Sequence, residues 1–179
     1  MSMWVFLTYS FLGFLLELVY ARLTKSEKPD RKCLLVLPLC PVYGLAALGI
    51  LALPPFLADD PLLIFFAGGG VAVAVEYAVG FFTRYAFGVD FWDYSMIKGN
   101  VHGLVCPVFA IFWGVLAVAG RLWLHPLLAP VLAGLPGWLG AAAAAALGVD
   151  VTVSALLLRR RRDPACLRWY DRLFQLKPL

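Results

Sequence analysis

Long apolar runs alternate with short polar breaks along this chain, and five of the runs are long enough to cross a membrane. A hydrocarbon core about 30 Å thick takes about 20 apolar helical residues, and stretches 3–23, 34–53, 62–83, 101–120 and 137–158 meet that requirement. Backbone in lipid has no water to bond, so such runs fold as helices and not as open sheet. The pattern predicts an all-α, polytopic transmembrane bundle of about five spans over residues 1–158, then a basic amphipathic tail over 159–179. Between the last two runs, 122–136 is broken by Pro126, Pro130 and Pro136. It is expected on the outer surface or dipping into the membrane.

Three acidic residues interrupt the runs: Glu17 in the first, Glu76 in the third and Asp150 in the fifth. After each glutamate comes a second apolar run containing Cys-Pro-Val-aromatic, first Cys40-Pro41-Val42-Tyr43 and then Cys106-Pro107-Val108-Phe109. The first and third spans share a direction, as do the second and fourth. This is a parallel internal repeat of two helical hairpins, over about 3–53 and 62–120. Pro41 and Pro107, early in their spans, are expected to kink them or widen the first turn.

Composition agrees with a membrane protein. Of 179 residues 63% are hydrophobic and 15% charged, far from the make-up of soluble domains. The basic residues set the orientation, because with the N-terminus outside all of the 15 Lys and Arg except Arg121 fall on the cytoplasmic side. No Lys or Arg precedes the first span and no small-residue cleavage site follows it, so it is not expected to be a cleaved signal. Cys33, Cys40, Cys106 and Cys166 lie in or near the cytoplasmic half and are expected as reduced thiols.

With about 1.5 Å of rise per residue, Glu17 lies roughly 8 Å from the nearest cytoplasmic basic residue, and Glu76, Asp150, Cys40 and Cys106 roughly 12–13 Å. They are expected to share one polar stratum. Neighbours on the same helix face are small or hydroxylated: Ser10 and Gly13 for Glu17, Gly69, Ala72 and Gly80 for Glu76, Ala146 and Ser154 for Asp150. Such faces turn towards other helices, not lipid.

Ionisable groups in hydrocarbon mark function by default. Two readings of the layer stand open: a site for a cation, proton or polar substrate, or interhelix pairs, with Arg22 or Arg84 as partners. The thiols read first as small hydrophobes; a nucleophile is the rarer reading, with His102 at i−4 activating Cys106, and no closely spaced ligand cluster implies a metal. Trp92, Asp93 and Tyr94 in the third loop read as an interfacial aromatic belt or, alternatively, as a partner-docking surface. Arg159 to Arg162, followed by Cys166, Leu167, Tyr170, Leu173 and Phe174, predicts an interfacial helix on anionic lipid, with no nucleic-acid role. Phosphate-loop and hydrolase motifs are absent. A non-enzymatic protein without cofactor is expected.

Taken in order, Tyr9-Ser10-Phe11-Leu12-Gly13 leading to Glu17, Cys40-Pro41-Val42-Tyr43-Gly44, Glu76-Tyr77, Trp92-Asp93-Tyr94-Ser95, Asn100 and Trp113-Gly114 form a pattern. The chain resembles the CmpB-like, type IV ABC-transporter permease family over about residues 5–118. The resemblance implies a membrane subunit served by a separate cytoplasmic ATPase, and a homo- or hetero-oligomer is expected because five helices make a thin pathway. Tyr43 and Asn100 then join Glu17, Glu76, Asp150, Cys40 and Cys106 as candidates for a substrate or ion site. Rival readings are a membrane scaffold or regulatory protein and an intramembrane thiol enzyme. Where the family pattern is acidic this chain has Arg84, and where it is basic, Leu104; Arg84 is thereby placed to neutralise a neighbouring carboxylate such as Glu76.

Overall fold

A computed structural model describes residues 2–24 and 33–168. Among them are six helices: α1 (Ser2–Leu23), α2 (Pro41–Leu51), α3 (Pro55–Ala58), α4 (Pro61–Phe87), α5 (Pro107–Ala133) and α6 (Gly137–Arg161), followed by a 3-10 turn at Pro164–Leu167. Helices α1, α4, α5 and α6 are long and apolar enough to cross a membrane. No strand forms among the described residues; Val101 and Val105 meet in an isolated bridge. The protein is an all-α membrane bundle.

Two of the five expected spans differ in form. Over 34–53 only the second half is helical, because α2 begins at Pro41, and its 11 residues rise about 16 Å, half a hydrocarbon core. Pro38 and Pro41 hold Leu37 and Cys40 out of the helical region, so residues 33–40 run without helix. Over 101–120 the helix begins only at Pro107, after an extended Cys106. In both copies the Cys-Pro pair starts a helix: proline occupies the first turn, where its missing N–H costs nothing. The kinks expected at Pro41 and Pro107 are therefore absent.

The proline-broken stretch after residue 120 continues α5 to Ala133 instead of leaving the bundle. A π-helical turn at Gly120–Leu124 precedes Pro126. Such a turn widens the ladder, and the helix passes two prolines without stopping. A matching π turn occupies Ile64–Gly68 in α4.

Small residues decide how closely the helices pack. A Cβ on Gly13 would run into the Tyr43 ring, and one on Gly44 into Ser10 Oγ and the Phe6 carbonyl. These contacts, with 13 facing 43 and 10 and 6 facing 44, make α1 and α2 antiparallel. Gly68 against Ala117, Gly69 against Gly114 and Gly80 against Leu104 do the same for α4 and the segment entering α5. Central α2 supplies Val42, Ala46 and Ile50 to a core completed by Ile64 and Ala72 of α4 and Trp113 and Ala117 of α5. Phe66, Phe82, Trp123, Val131 and Trp138 point outward, as a lipid-facing surface requires.

Trp4, at the start of α1, packs on Gly140, at the start of α6, and Val89, just past the end of α4, packs with Leu158 near the end of α6, so α1, α4 and α6 run in parallel. Their carboxyl ends bring Arg22, Arg84 and Arg159 to Arg161 to one end of the bundle. Beyond that, Arg162 adopts a left-handed conformation and the 3-10 turn tucks Leu167 against Leu158 and Val89. The described part of the tail thus turns back on the bundle instead of extending as one amphipathic helix; Tyr170, Leu173 and Phe174 lie outside the described residues.

Candidate functional site

Glu17 of α1 and Glu76 of α4 face one cavity of about 190 Å3 between the two copies of the repeat. Both carboxylates are buried, at 8% and 5% exposure. Tyr43 donates its hydroxyl to Glu17 Oε1 at 2.8 Å. Tyr94 donates to Glu76 Oε1 at 3.0 Å, and Trp113 Nε1 to Glu76 Oε2 at 3.0 Å. Rings form most of the remaining wall. Tyr43 and Trp113 lie 4.9 Å apart, Tyr94 stacks on Phe109 at 4.7 Å, and Tyr20 meets Phe109 edge-on at 6.1 Å.

The repeat explains this asymmetry of partners. Tyr43 of the first copy corresponds to Phe109 of the second, which has no hydroxyl. Glu76 is served instead by Trp113, two turns into α5, and by Tyr94 from the loop between α4 and α5. That loop folds back into the bundle: Trp92 Nε1 donates to the Leu104 carbonyl at 2.8 Å, and the Tyr94 amide donates to the Gly103 carbonyl. Trp92 and Tyr94, taken as belt or docking residues, thus turn inward, Tyr94 being 4% exposed. Asp93 is exposed, and its carboxylate accepts from the Ser95 amide and hydroxyl. Asn100 closes the same loop through the Ser95 and Ile97 carbonyls and the Gly103 amide. It shapes the loop and does not line the cavity.

Asp150 does not join the two glutamates. Its carboxylate accepts from three successive backbone amides, Leu35 at 3.1 Å, Val36 at 3.1 Å and Leu37 at 2.6 Å. Ser154, one turn on, accepts a second bond from the Leu35 amide and donates to Asp150. Non-helical backbone inside a membrane needs protein partners for its polar groups, and residues 33–40 find them here.

The thiols also separate. Cys40 lines the cavity together with Cys33, which sequence reasoning left out, and their sulfurs lie 3.5 Å apart. Cys106 is buried at the head of α5 and is not among the cavity's lining residues. Its expected helical pairing with His102 does not exist, because residues 101–106 form turns, His102 has a positive φ and its Nδ1 meets the Tyr77 hydroxyl at 2.9 Å.

Arg84, expected beside Glu76, instead binds Asp90 through Nε at 2.7 Å and the His102 carbonyl through Nη1 at 2.7 Å. The short 84–90 reach wins because both groups sit at the helix end. Arg121, expected beyond the end of a span, lies midway along α5 and donates to the Leu51 carbonyl at 3.1 Å, where a cation complements the carboxyl end of α2. It borders a second, apolar cavity of about 280 Å3. The two cavities share Leu16, Tyr43, Trp113 and Leu116.

The long apolar helices, with two carboxylates turned onto an internal cavity, are those of a multi-pass membrane protein. The chain belongs to the family described as Putative ABC-transporter type IV, which matches residues 4–157. The match extends past residue 118, where the motif resemblance ends, and takes in Asp150. No curated protein and no solved structure matches the chain.

Proposed function

We propose that this chain is a permease-type subunit of an ABC transport system, passing a solute among α1, α2 and α5 past the Glu17 and Glu76 carboxylates. The observation that carries this reading is the pair of adjoining cavities: one holds the carboxylates, the other reaches Arg121, and Tyr43 and Trp113 stand in the wall between. The basic end, with Arg22, Arg84 and Arg159 to Arg162, faces the cytoplasm and anionic lipid, which leaves the N-terminus outside. The chain is not itself an enzyme and uses no cofactor. A separate cytoplasmic ATPase supplies the energy, and a second membrane subunit, identical or not, widens the pathway.

The test is purification in mild detergent from cells making the protein at native level. An ATP-hydrolysing subunit should accompany it; repeated preparations without any ATP-binding protein would overturn the reading. The scaffold reading draws support from Glu76, both of whose oxygens already accept bonds within the bundle. Glu17→Gln and Glu76→Gln separate the two, since a scaffold loses thermal stability with transport unchanged, whereas a permease loses transport while folded.

A further inference from the structure

Two thiols meet at the start of α2. Cys33 and Cys40 bracket the stretch that Pro38 and Pro41 keep out of helix, and their sulfurs lie 3.5 Å apart. Had residues 33–40 coiled, seven steps of helical rise would set the two positions roughly 10 Å apart along the axis. Instead the run folds back on itself. The uncoiled backbone that Asp150 holds at Leu35, Val36 and Leu37 is therefore also what brings the sulfurs together.

The two cysteines are held differently. Cys40 is 4% exposed, caps α2, and its amide donates to the Ser10 carbonyl of α1 at 2.9 Å. Cys33 belongs to no helix and is half-buried. A reachable thiol beside a second, sheltered one is the arrangement of an attacking and a resolving cysteine. Reacting atoms 3–3.5 Å apart stand in near-attack range, and a disulfide requires closing the remaining gap by about 1.5 Å. Among the described residues no group of three His, Cys, Asp or Glu gathers as metal ligands, so the pair offers the chemistry of a dithiol. The second copy of the repeat provides an internal contrast, since Gly99 stands seven residues before Cys106, where the first copy has Cys33.

We propose that Cys33 and Cys40 form a reversible dithiol–disulfide site that reacts with low-molecular-weight disulfides. The Cys33 thiolate attacks one sulfur of the oxidant RSSR, forming a mixed disulfide and releasing one RS−. The Cys40 thiolate then attacks the Cys33 sulfur, expels the second RS− and closes the protein disulfide. Two electrons pass from the protein to RSSR, and the two thiol protons end on two molecules of RSH. Excess small thiol runs the same steps backwards, so in a reducing compartment the bond forms on oxidation and is transient. It ties the uncoiled run to the head of α2, where the Tyr43 amide donates to the Cys40 carbonyl at 3.1 Å and the Tyr43 hydroxyl to Glu17. The site goes beyond the permease reading and does not depend on it.

The full chain, reduced and purified in a maltoside detergent, would be equilibrated with glutathione and increasing glutathione disulfide. Acid quenching, denaturation and N-ethylmaleimide then mark every remaining thiol for mass spectrometry. Cys33 and Cys40 should lose their label together, within one chain, at a glutathione disulfide concentration at least tenfold below that which modifies Cys106 or Cys166. In Cys40→Ser the product should become a glutathione adduct on Cys33, because the resolving thiol is gone. Separate glutathione adducts on both cysteines of the wild-type chain, a cross-link from either to another cysteine, or retention of both thiols where Cys166 is already modified would each overturn the proposal. Those outcomes are read on the wild-type chain, so a Cys40→Ser protein that fails to fold leaves the test intact.

Discussion

The Asp150 carboxylate accepts the backbone amide of Leu37 at 2.6 Å, tying the last helix of the bundle to a stretch of chain 113 residues earlier that is neither helix nor strand. The Leu35 and Val36 amides complete the grip. A stretch as apolar as Leu34-Leu35-Val36-Leu37 would ordinarily satisfy its own amides by coiling. Pro38 and Pro41 prevent that, and a buried acid on α6 takes the place of the missing helical acceptors.

Asp150→Ala should therefore destabilise the protein by about 3 kcal/mol or more, since bonds to a charged acceptor are worth about 1.5–3 kcal/mol each and three amides lose their acceptor at once. Asp150→Asn keeps one acceptor oxygen and should fall between. Thermal unfolding in detergent checks both. A melting temperature for Asp150→Ala within a degree of wild type would show that the amides find other partners.

How far this arrangement is legible from sequence depends on the residue. Apolar length and the positions of Glu17 and Glu76 are readable because burying charge in lipid is so costly. The state of residues 34–40 is not, since hydropathy is the same for a coiled and an uncoiled run. Cys-Pro reads equally well as a kink or a helix start; what decides is Pro38, three residues earlier, and in the second copy the glycine-rich turn with Gly99 and Gly103 at positive φ. Asp150 looked like a third member of the carboxylate layer because its partners are backbone amides, which leave no mark in the sequence. Trp92 and Tyr94 have the composition of an interfacial belt, and only the fold of their loop turns them onto Leu104 and Glu76.

Gly44 lets α2 press against the backbone of α1. Adding even a methyl group there meets Ser10 Oγ and the Phe6 carbonyl, and backbone cannot swing aside as a side chain can. Gly44→Val should cost about 1–3 kcal/mol, the usual penalty of overpacking. Gly148→Val, on α6 where nothing lies within 4 Å, should change stability little. Equal unfolding midpoints for the two variants would argue against the α1–α2 contact.

Cys166 offers a readout by pH. Burial pushes its thiol pKa up, and the neighbouring Asp163 charge pushes in the same direction, against a smaller opposing effect of Arg161. The thiolate is the reactive form. Alkylation of Cys166 by iodoacetamide should thus run slower at neutral pH than that of a free cysteine, and its rise should come at higher pH than for the free thiol. Asp163→Asn should move that rise back downward. Mass spectrometry of peptides labelled across a pH series gives both curves, and a profile matching free cysteine would remove the burial and charge effects.

The two copies of the repeat suggest a swap that isolates one bond. Tyr43→Phe gives the first copy the residue the second already has at Phe109, and removes the hydroxyl that Glu17 accepts at 2.8 Å while keeping the ring beside Trp113. The expected cost is about 2 kcal/mol, within the range for a bond to a charged acceptor. Glu17→Gln alone weakens the same bond, so the double variant should cost less than the sum, with a coupling of about 0.5–3 kcal/mol in a mutant cycle. Guanidinium or urea unfolding in detergent measures all four corners. Strict additivity would mean that the Tyr43 hydroxyl and Glu17 do not interact, and the pairing on the first-copy side of the cavity would be lost with it.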